Sequence, residues 1–129
     1  MRVPPRFISG PVRMKQGMIG LHLMLDGIMR IPVSRELVES ILLELPDKIG
    51  MKIIAGPVIV EGNPCNPGWT GFVVIDKSHI AIHTFTRSSH ISIDVYSCQP
   101  FDADEVDRYL HGKIALTHVN KMVVTRSET

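Results

Sequence analysis

Three strand-like segments follow one another between positions 69 and 97 with only short connections between them. They cover residues 69–76, 78–86 and 90–97, and a four-residue loop at 86–89 separates the last two. Strands that succeed one another so closely, in a chain with few helical segments, favour an antiparallel sheet over a parallel one. This run therefore limits the chain to folds built around an antiparallel-rich sheet.

Two amphipathic helices are predicted outside this run. The first begins after Ser34, a good N-cap residue, and carries apolar residues at helical spacing until Pro46 and Gly50 end it. The second opens at Asp102, which has a glutamate three positions later in the manner of a capping box, and stops at Gly112. Both patterns predict helices that bury one apolar face.

Three further strands complete the pattern. They are expected at residues 18–27, 51–61 and 117–125, the second with a bulge or edge character at Gly56-Pro57. The order is strand–helix–strand–strand followed by strand–strand–helix–strand. This order predicts an α+β fold, a two-layer α/β sandwich with a mostly antiparallel sheet and two helices on one face. The other face of the sheet would be exposed, and it is a natural surface for a dimer.

Composition excludes several classes of protein. A length of 129 residues fits a single domain spanning 1–129, and a charge of +1 favours binding neither to nucleic acid nor to an anionic membrane surface. Two cysteines, Cys65 and Cys98, are too few for a secreted disulfide scaffold and suggest a reduced, cytoplasmic protein. Residues 1–17 are expected to form an irregular arm and not a signal peptide, and the apolar stretch at 18–25 is too short to span a bilayer.

The second hairpin brings reactive side chains onto neighbouring strands. With a turn at 87–88, paired residue numbers sum to about 175, which sets Cys98 opposite the peptide bond between Lys77 and Ser78. His83, however, lies five residues along the strand from Ser78, a separation of about 16 Å. Either the strand bends sharply, or His83 serves a site completed by a second copy of the chain.

Simpler interpretations of these residues stay open at this point. His79 and His83 share one side of their strand, but without a third ligand nearby they are a weak metal signal, and no metal is expected. Cys98 could be a buried small apolar residue, or a hydrolase nucleophile with His83 as its base, although no neighbouring motif supports the latter.

Two segments resemble the signature of the S-adenosylmethionine decarboxylase family. Residues 78–85 read Ser-His-Ile-Ala-Ile-His-Thr-Phe, and residues 93–98 read Ile-Asp-Val-Tyr-Ser-Cys. Small prokaryotic members carry Glu-Ser-His-x-x-Ile-His-Thr-Trp-Pro-Glu and then Ile-Asp-x-Phe-Thr-Cys-Gly, with the same spacing from serine to histidine and to cysteine. Residues 20–23 resemble the first strand of these members, and Thr70 with the following glycine stands where they have Ser-Gly.

The resemblance implies an enzyme that makes its own pyruvoyl cofactor. The hydroxyl of Ser78 would attack the carbonyl of Lys77, and His83 would then remove the α-proton of Ser78. Elimination and hydrolysis would leave a pyruvoyl group at the new N-terminus. The hydroxyl of Thr70 would stabilise the cyclic intermediate of the first step.

The mature enzyme implied by the resemblance is a homodimer that decarboxylates S-adenosylmethionine for polyamine (spermidine) biosynthesis. The pyruvoyl group from Ser78 would form a Schiff base with this small-molecule substrate and act as an electron sink. Cys98 would return a proton to the resulting carbanion. Ser78 and Cys98 would come from one subunit, and Thr70 and His83 from the other.

Three substitutions depart from the family pattern and concern the substrate. Lys77 replaces a glutamate, Arg87 replaces the glutamate that holds the ribose hydroxyls, and Pro64 falls where an aromatic residue stacks on adenine. Phe85 and Trp69 are the candidates to stack instead. Two cations would repel a sulfonium substrate and would suit an anionic amino acid, unless both side chains point into solvent. The hypotheses are therefore an S-adenosylmethionine decarboxylase, a relative acting on another amino acid, and an unprocessed, non-catalytic binding or assembly protein.

Overall fold

A six-stranded antiparallel sheet with two helices on one face makes up the part of the chain that the computed structural model describes, residues 17–128. The sheet order is β2-β3-β4-β5-β1-β6, and every neighbouring pair is antiparallel. The predicted two-layer α+β sandwich is confirmed. The arm predicted for residues 1–17 lies outside the described residues, apart from Gly17. The elements are β1 (Met18–Met29), α1 (Arg35–Lys48), β2 (Ile53–Glu61), β3 (Trp69–Ile75), β4 (Ser78–Phe85), β5 (His90–Ser97), α2 (Ala103–Lys113) and β6 (Leu116–Ser127).

The core lies between the helices and one face of the sheet. Alternate residues of β1, β4 and β5 point into it, so that each strand is buried on one side only. Each fully buried large aliphatic side chain contributes about 1.5–3 kcal/mol of transfer free energy. The opposite face carries polar and aromatic side chains together with exposed apolar ones. The fully buried large side chains are Leu21, Leu23, Leu25, Ile41, Leu42, Leu45, Ile75, Ile80, Ile82, Ile91, Ile93 and Leu110.

The helix starts match the predictions, and the helix ends lie within two residues of the predicted stops. The Ser34 hydroxyl accepts from the backbone N–H of Leu37 at 3.1 Å, and Asp102 likewise caps α2. Helix α1 continues past Pro46, which is buried in its last turn, to Lys48, and Gly50, the other predicted stop, follows the helix with a φ angle of +72°. Likewise α2 passes through Gly112 and ends one residue later. Packing against the core holds a last helical turn that local sequence signals alone would terminate.

The register of the central hairpin is as predicted. Along β4 and β5 paired residues sum to 175, from His79 opposite Tyr96 to Phe85 opposite His90. The pairing of β3 with β4 is also continuous, whereas β2 shows register shifts around the predicted irregularity at Gly56-Pro57. The strand from Ser78 onward is therefore regular, and a sharp bend toward His83 is excluded.

Candidate active site

Ser78 and Cys98 meet at one end of the sheet. The Ser78 hydroxyl donates to the carbonyl of Asp76 at 2.9 Å and accepts from the backbone N–H of Cys98 at 2.8 Å. The Cys98 thiol donates to the same Asp76 carbonyl at 3.3 Å. Ser78 is only 6% exposed, while Cys98 is half-buried. The hydroxyl is thus fixed in one orientation and largely shielded from water.

Lys77, just before this serine, has an unusual backbone conformation. Because Ile75 pairs with Ser78, Asp76 and Lys77 alone form the turn from β3 to β4. The φ angle of Lys77 is +51°, in the left-handed region that few non-glycine residues occupy. Holding a lysine there costs of order 1–3 kcal/mol, which the flanking strand pairs offset. The peptide bond between Lys77 and Ser78 therefore follows a strained residue.

Thr70 and His83 form a second pair at the other end of β4. The Thr70 hydroxyl lies 3.0 Å from Nδ1 of His83, and both residues are half-buried on the sheet face that the helices leave open. A cleft of about 290 Å³ borders this pair, with Phe85 and the loop at 62–68 as further walls. A hydroxyl bonded to an imidazole beside a cleft can orient the ring and leave its other nitrogen for proton transfer.

The four predicted catalytic residues thus form two pairs and not one cluster. Five residues of regular strand separate Ser78 from His83, a distance of about 16 Å. Such a gap rules out proton transfer between them within one chain. Each pair contains two of the four catalytic residues that the sequence predicts for a single site.

The predicted substrate-binding residues are dispersed. Phe85 shares the open face with His83, but Trp69 packs against the core, with its backbone N–H bonded to Thr84. Lys77 is exposed in its turn. The guanidinium of Arg87 donates from Nη1 to the Cys65 carbonyl at 3.1 Å and from Nη2 to the Pro64 carbonyl at 3.3 Å, both in the loop beside the cleft.

A group of ring side chains on the open face was not predicted from the sequence. His22 and His79 flank Tyr96, with ring centroids 5.7–6.5 Å apart, and Arg126 stacks over Tyr96 at 4.7 Å. Asp94 lies 3.4 Å from Nε2 of His22. Burial, above all, lowers the pKa of His22, Arg126 lowers it further, and Asp94 opposes both. His79 stands opposite Tyr96 in the predicted hairpin, but His22 and Arg126 join the group through the pairing of β1 with β5 and with β6, which no local motif indicates.

Other kinds of site find no support within residues 17–128. No cluster of three or more histidine, cysteine, aspartate or glutamate side chains there has the geometry to hold a metal ion. Cys65 and Cys98 are both free thiols. No helix of this segment is sufficiently long and apolar to cross a bilayer.

Comparison with known proteins yields a consistent set of relatives. The sequence model of S-adenosylmethionine decarboxylase matches residues 28–127. An S-adenosylmethionine decarboxylase proenzyme from Hydrogenobaculum sp. is 32% identical over 111 residues, which cover 84% of this chain and 81% of the relative. The proenzyme from Caldicellulosiruptor saccharolyticus is 30% identical over 72% of this chain and 73% of its own.

A solved structure agrees with these sequence matches. The crystal structure of the adenosylmethionine decarboxylase from Aquifex aeolicus superposes with a TM-score of 0.64 at 26% identity. The match covers 85% of this chain and 92% of that one. The family match at residues 28–127 spans both helices and the positions of the two residue pairs described above.

Proposed function

This chain belongs to the S-adenosylmethionine decarboxylase family, and from that premise we propose that it is a pyruvoyl-dependent S-adenosylmethionine decarboxylase that processes itself at Ser78. The cofactor would arise from the chain itself by cleavage between Lys77 and Ser78. Decarboxylated S-adenosylmethionine would then serve polyamine synthesis, in the cytoplasm. The geometry of the two residue pairs supports each step in turn.

The first step is an attack of the Ser78 hydroxyl on the Lys77 carbonyl carbon. The new C–O bond replaces the C–N bond, the hydroxyl proton passes to nitrogen, and the peptide becomes an ester. A buried, oriented hydroxyl and a strained residue at the acyl position both favour this shift, because strain in the peptide is lost when the bond to nitrogen breaks. A hydroxyl from Thr70 of a second copy would stabilise the charge that develops on the carbonyl oxygen.

The second step is removal of the Ser78 α-proton, with His83 as the base. The Cβ–O bond of the ester then breaks, so that the Lys77 carboxylate leaves as a new C-terminus. Hydrolysis of the remaining dehydroalanine releases ammonia and leaves the pyruvoyl group. The bond from Thr70 to Nδ1 fixes the imidazole, whose other ring nitrogen is the one to take the proton.

A second copy of the chain is needed because His83 cannot reach Ser78 of its own strand. The open face of the sheet offers an apolar surface for that copy, since Val58, Val60, Phe72 and Met122 are each 40–53% exposed there. If two such faces pack about a two-fold axis that crosses the strands, β4 lies antiparallel to its own copy. The end of β4 that carries Ser78 in one chain then faces the end that carries His83 in the other chain, and both sites become complete.

The mature site fits the cofactor that the family implies. The pairing of β4 with β5 holds the start of β4 next to Cys98, so a group formed at position 78 would stay beside the thiol. A pyruvoyl group supplies an electron sink for loss of carbon dioxide. The Cys98 thiol is placed to return a proton to the substrate carbon afterwards.

The observation that carries the proposal is the fixed, shielded hydroxyl of Ser78 next to Lys77 in the left-handed conformation. Intact mass measurement tests it: the purified protein should show fragments 1–77 and 78–129 in place of one chain of 14.4 kDa. Carbon dioxide release from carboxyl-labelled S-adenosylmethionine should accompany them. Ser78→Ala should stay uncut, and Cys98→Ala should be cut but turn over slowly. An uncut wild-type chain would overturn the proposal, and turnover of an acidic amino acid alone would overturn its substrate.

A further inference from the structure

The loop at 62–68 forms one wall of the cleft beside His83, and this wall includes two asparagines. Asn63 and Asn66 both line the cleft and are exposed. Among the described residues, neither side chain amide has a hydrogen-bond partner. Two free amides beside the proposed catalytic base are available to a ligand.

The base and the tip of this loop are held differently. At the base, Gly62 donates its backbone N–H to Gly68 at 2.8 Å, and Thr86 donates to Pro67 at 3.0 Å. Gly68 also packs directly on β4, where an added Cβ would clash with the Thr84 carbonyl oxygen. The base is therefore anchored by backbone contacts that leave no room for a side chain.

The tip depends on Arg87. Within the tip itself, a single backbone hydrogen bond closes the turn, from the Asn66 N–H to the Asn63 carbonyl at 2.8 Å. The fork of the Arg87 guanidinium then links the carbonyls of Pro64 and Cys65, which lie between the two asparagines, to the loop after β4. Arg87 thus fixes the segment that carries both amides.

We propose that Asn63 and Asn66 bind the hydroxyl groups of the substrate, and that Arg87 is a positioning residue that holds them in the cleft. The inference rests on the proposed function. A sugar hydroxyl both donates and accepts hydrogen bonds. A side-chain amide can accept one bond from it and donate another to it, whereas a guanidinium can only donate. Neutral amides also bind beside a sulfonium cation without repulsion. In the proposed substrate, the hydroxyls concerned are the vicinal pair of the ribose.

Steady-state kinetics with S-adenosylmethionine and its 2′,3′-dideoxy analogue tests the two amides. The double variant Asn63→Ala/Asn66→Ala should raise KM for the natural substrate about tenfold, with kcat within about twofold, as expected for lost ground-state hydrogen bonds. KM for the dideoxy analogue should not change. If the variant still discriminates against the analogue as strongly as wild type, the amides do not bind the hydroxyls and the inference is wrong.

Hydrogen exchange tests the role of Arg87 separately from activity. Arg87→Met should accelerate exchange of the Asn66 amide about tenfold and raise KM without lowering kcat, and Arg87→Lys should be intermediate because it cannot fork. Arg108→Met, on the exposed side of α2, is the matched control and should change neither. Combining Arg87→Met with the two asparagine changes should add little to KM. Unchanged exchange in Arg87→Met, or full additivity, would contradict the positioning role.

Failure of the inference can be told apart from failure of the proposed function. Processing of the wild-type chain is read from its mass and does not involve the loop. If the chain proves uncut, equilibrium binding of S-adenosylmethionine by calorimetry, with and without the asparagine changes, replaces the kinetic assay. A tenfold weaker binding in the double variant supports the inference, and equal binding by both proteins refutes it.

Discussion

Two defective variants should restore each other when they are made in the same cell. His83→Ala removes the proposed base from one residue pair, and Cys98→Ala removes the proton donor from the other. Alone, the first homodimer should stay uncut, and the second should be cut but turn over slowly. In a heterodimer, one site combines Ser78 and Cys98 of the His83→Ala chain with Thr70 and His83 of the Cys98→Ala chain, and that site is intact.

The expected magnitude follows from the geometry of β4. The pairing of β3 with β4 is continuous, so β4 is straight and about 16 Å separate His83 from Ser78 of the same chain. No rescue within one chain can therefore occur. Random pairing makes about half of the dimers mixed, and each mixed dimer has one intact site of two. Activity should therefore reach about a quarter of the wild-type value, and about half of the His83→Ala chains should be cut.

The assay needs chains that can be distinguished. Co-expression with two different affinity tags allows the mixed dimer to be isolated and its cut chain identified by intact mass. Isolated mixed dimers should show about half of wild-type turnover, because one of their two sites is complete. The matched control pairs His83→Ala with Thr70→Ala. Both changes fall in the same residue pair, so every site is defective and nothing should be restored.

Three outcomes would refute this reasoning. Cleavage of the His83→Ala homodimer would show that another group removes the α-proton. Recovery in the control pair equal to that in the test pair would show that the residues do not divide into these two groups. Absence of any recovery in isolated mixed dimers would show that the two pairs do not meet across an interface.

Gly71→Ala should lower the free energy of unfolding by about 1–3 kcal/mol in urea titrations, because the new Cβ would lie 2.7 Å from a methyl of Val38 on α1; an unchanged midpoint would contradict this packing. Phe72→Asp should yield monomers by light scattering while circular dichroism stays native, since the side chain is 40% exposed at the proposed dimer surface; a persistent dimer would place the interface elsewhere. The lowered pKa of His22 means that the folded chain binds this proton less readily than the unfolded chain. Stability should therefore fall as pH drops through 6.5 toward the lowered pKa, by more in wild type than in His22→Gln, and equal slopes would contradict it.

The sequence predicts what depends on near neighbours in the chain. A four-residue loop fixes the register of β4 and β5, so the meeting of Cys98 with the peptide bond before Ser78 could be worked out without coordinates. Both helix starts were predictable because the capping side chain and the N–H that it accepts from lie within three residues. The α+β class followed from the order of the elements alone.

Contacts between distant segments could not be predicted in the same way. Pairing of β1 with β5 brings His22 against Asp94, 72 positions later, and neither residue carries a local sign of the other. Burial of Pro46 holds the end of α1 for a similar reason. The position of Trp69 against the core could have been predicted, because neighbouring strand residues point to opposite faces and Thr70 lies on the open face.

The two cations that replace family carboxylates differ in their surroundings, and this difference bears on the substrate. The charge of Arg87 faces the carbonyl oxygens of Pro64 and Cys65, so that this side chain acts on the loop and not as a free cation in the cleft. Lys77 is exposed, and two unit charges 4 Å apart in water interact by only about 1 kcal/mol. Repulsion of that size costs less than one order of magnitude in affinity. A sulfonium substrate is therefore compatible with both substitutions, and the acidic amino acid that the sequence alone suggested gains no pair of free cations to bind it.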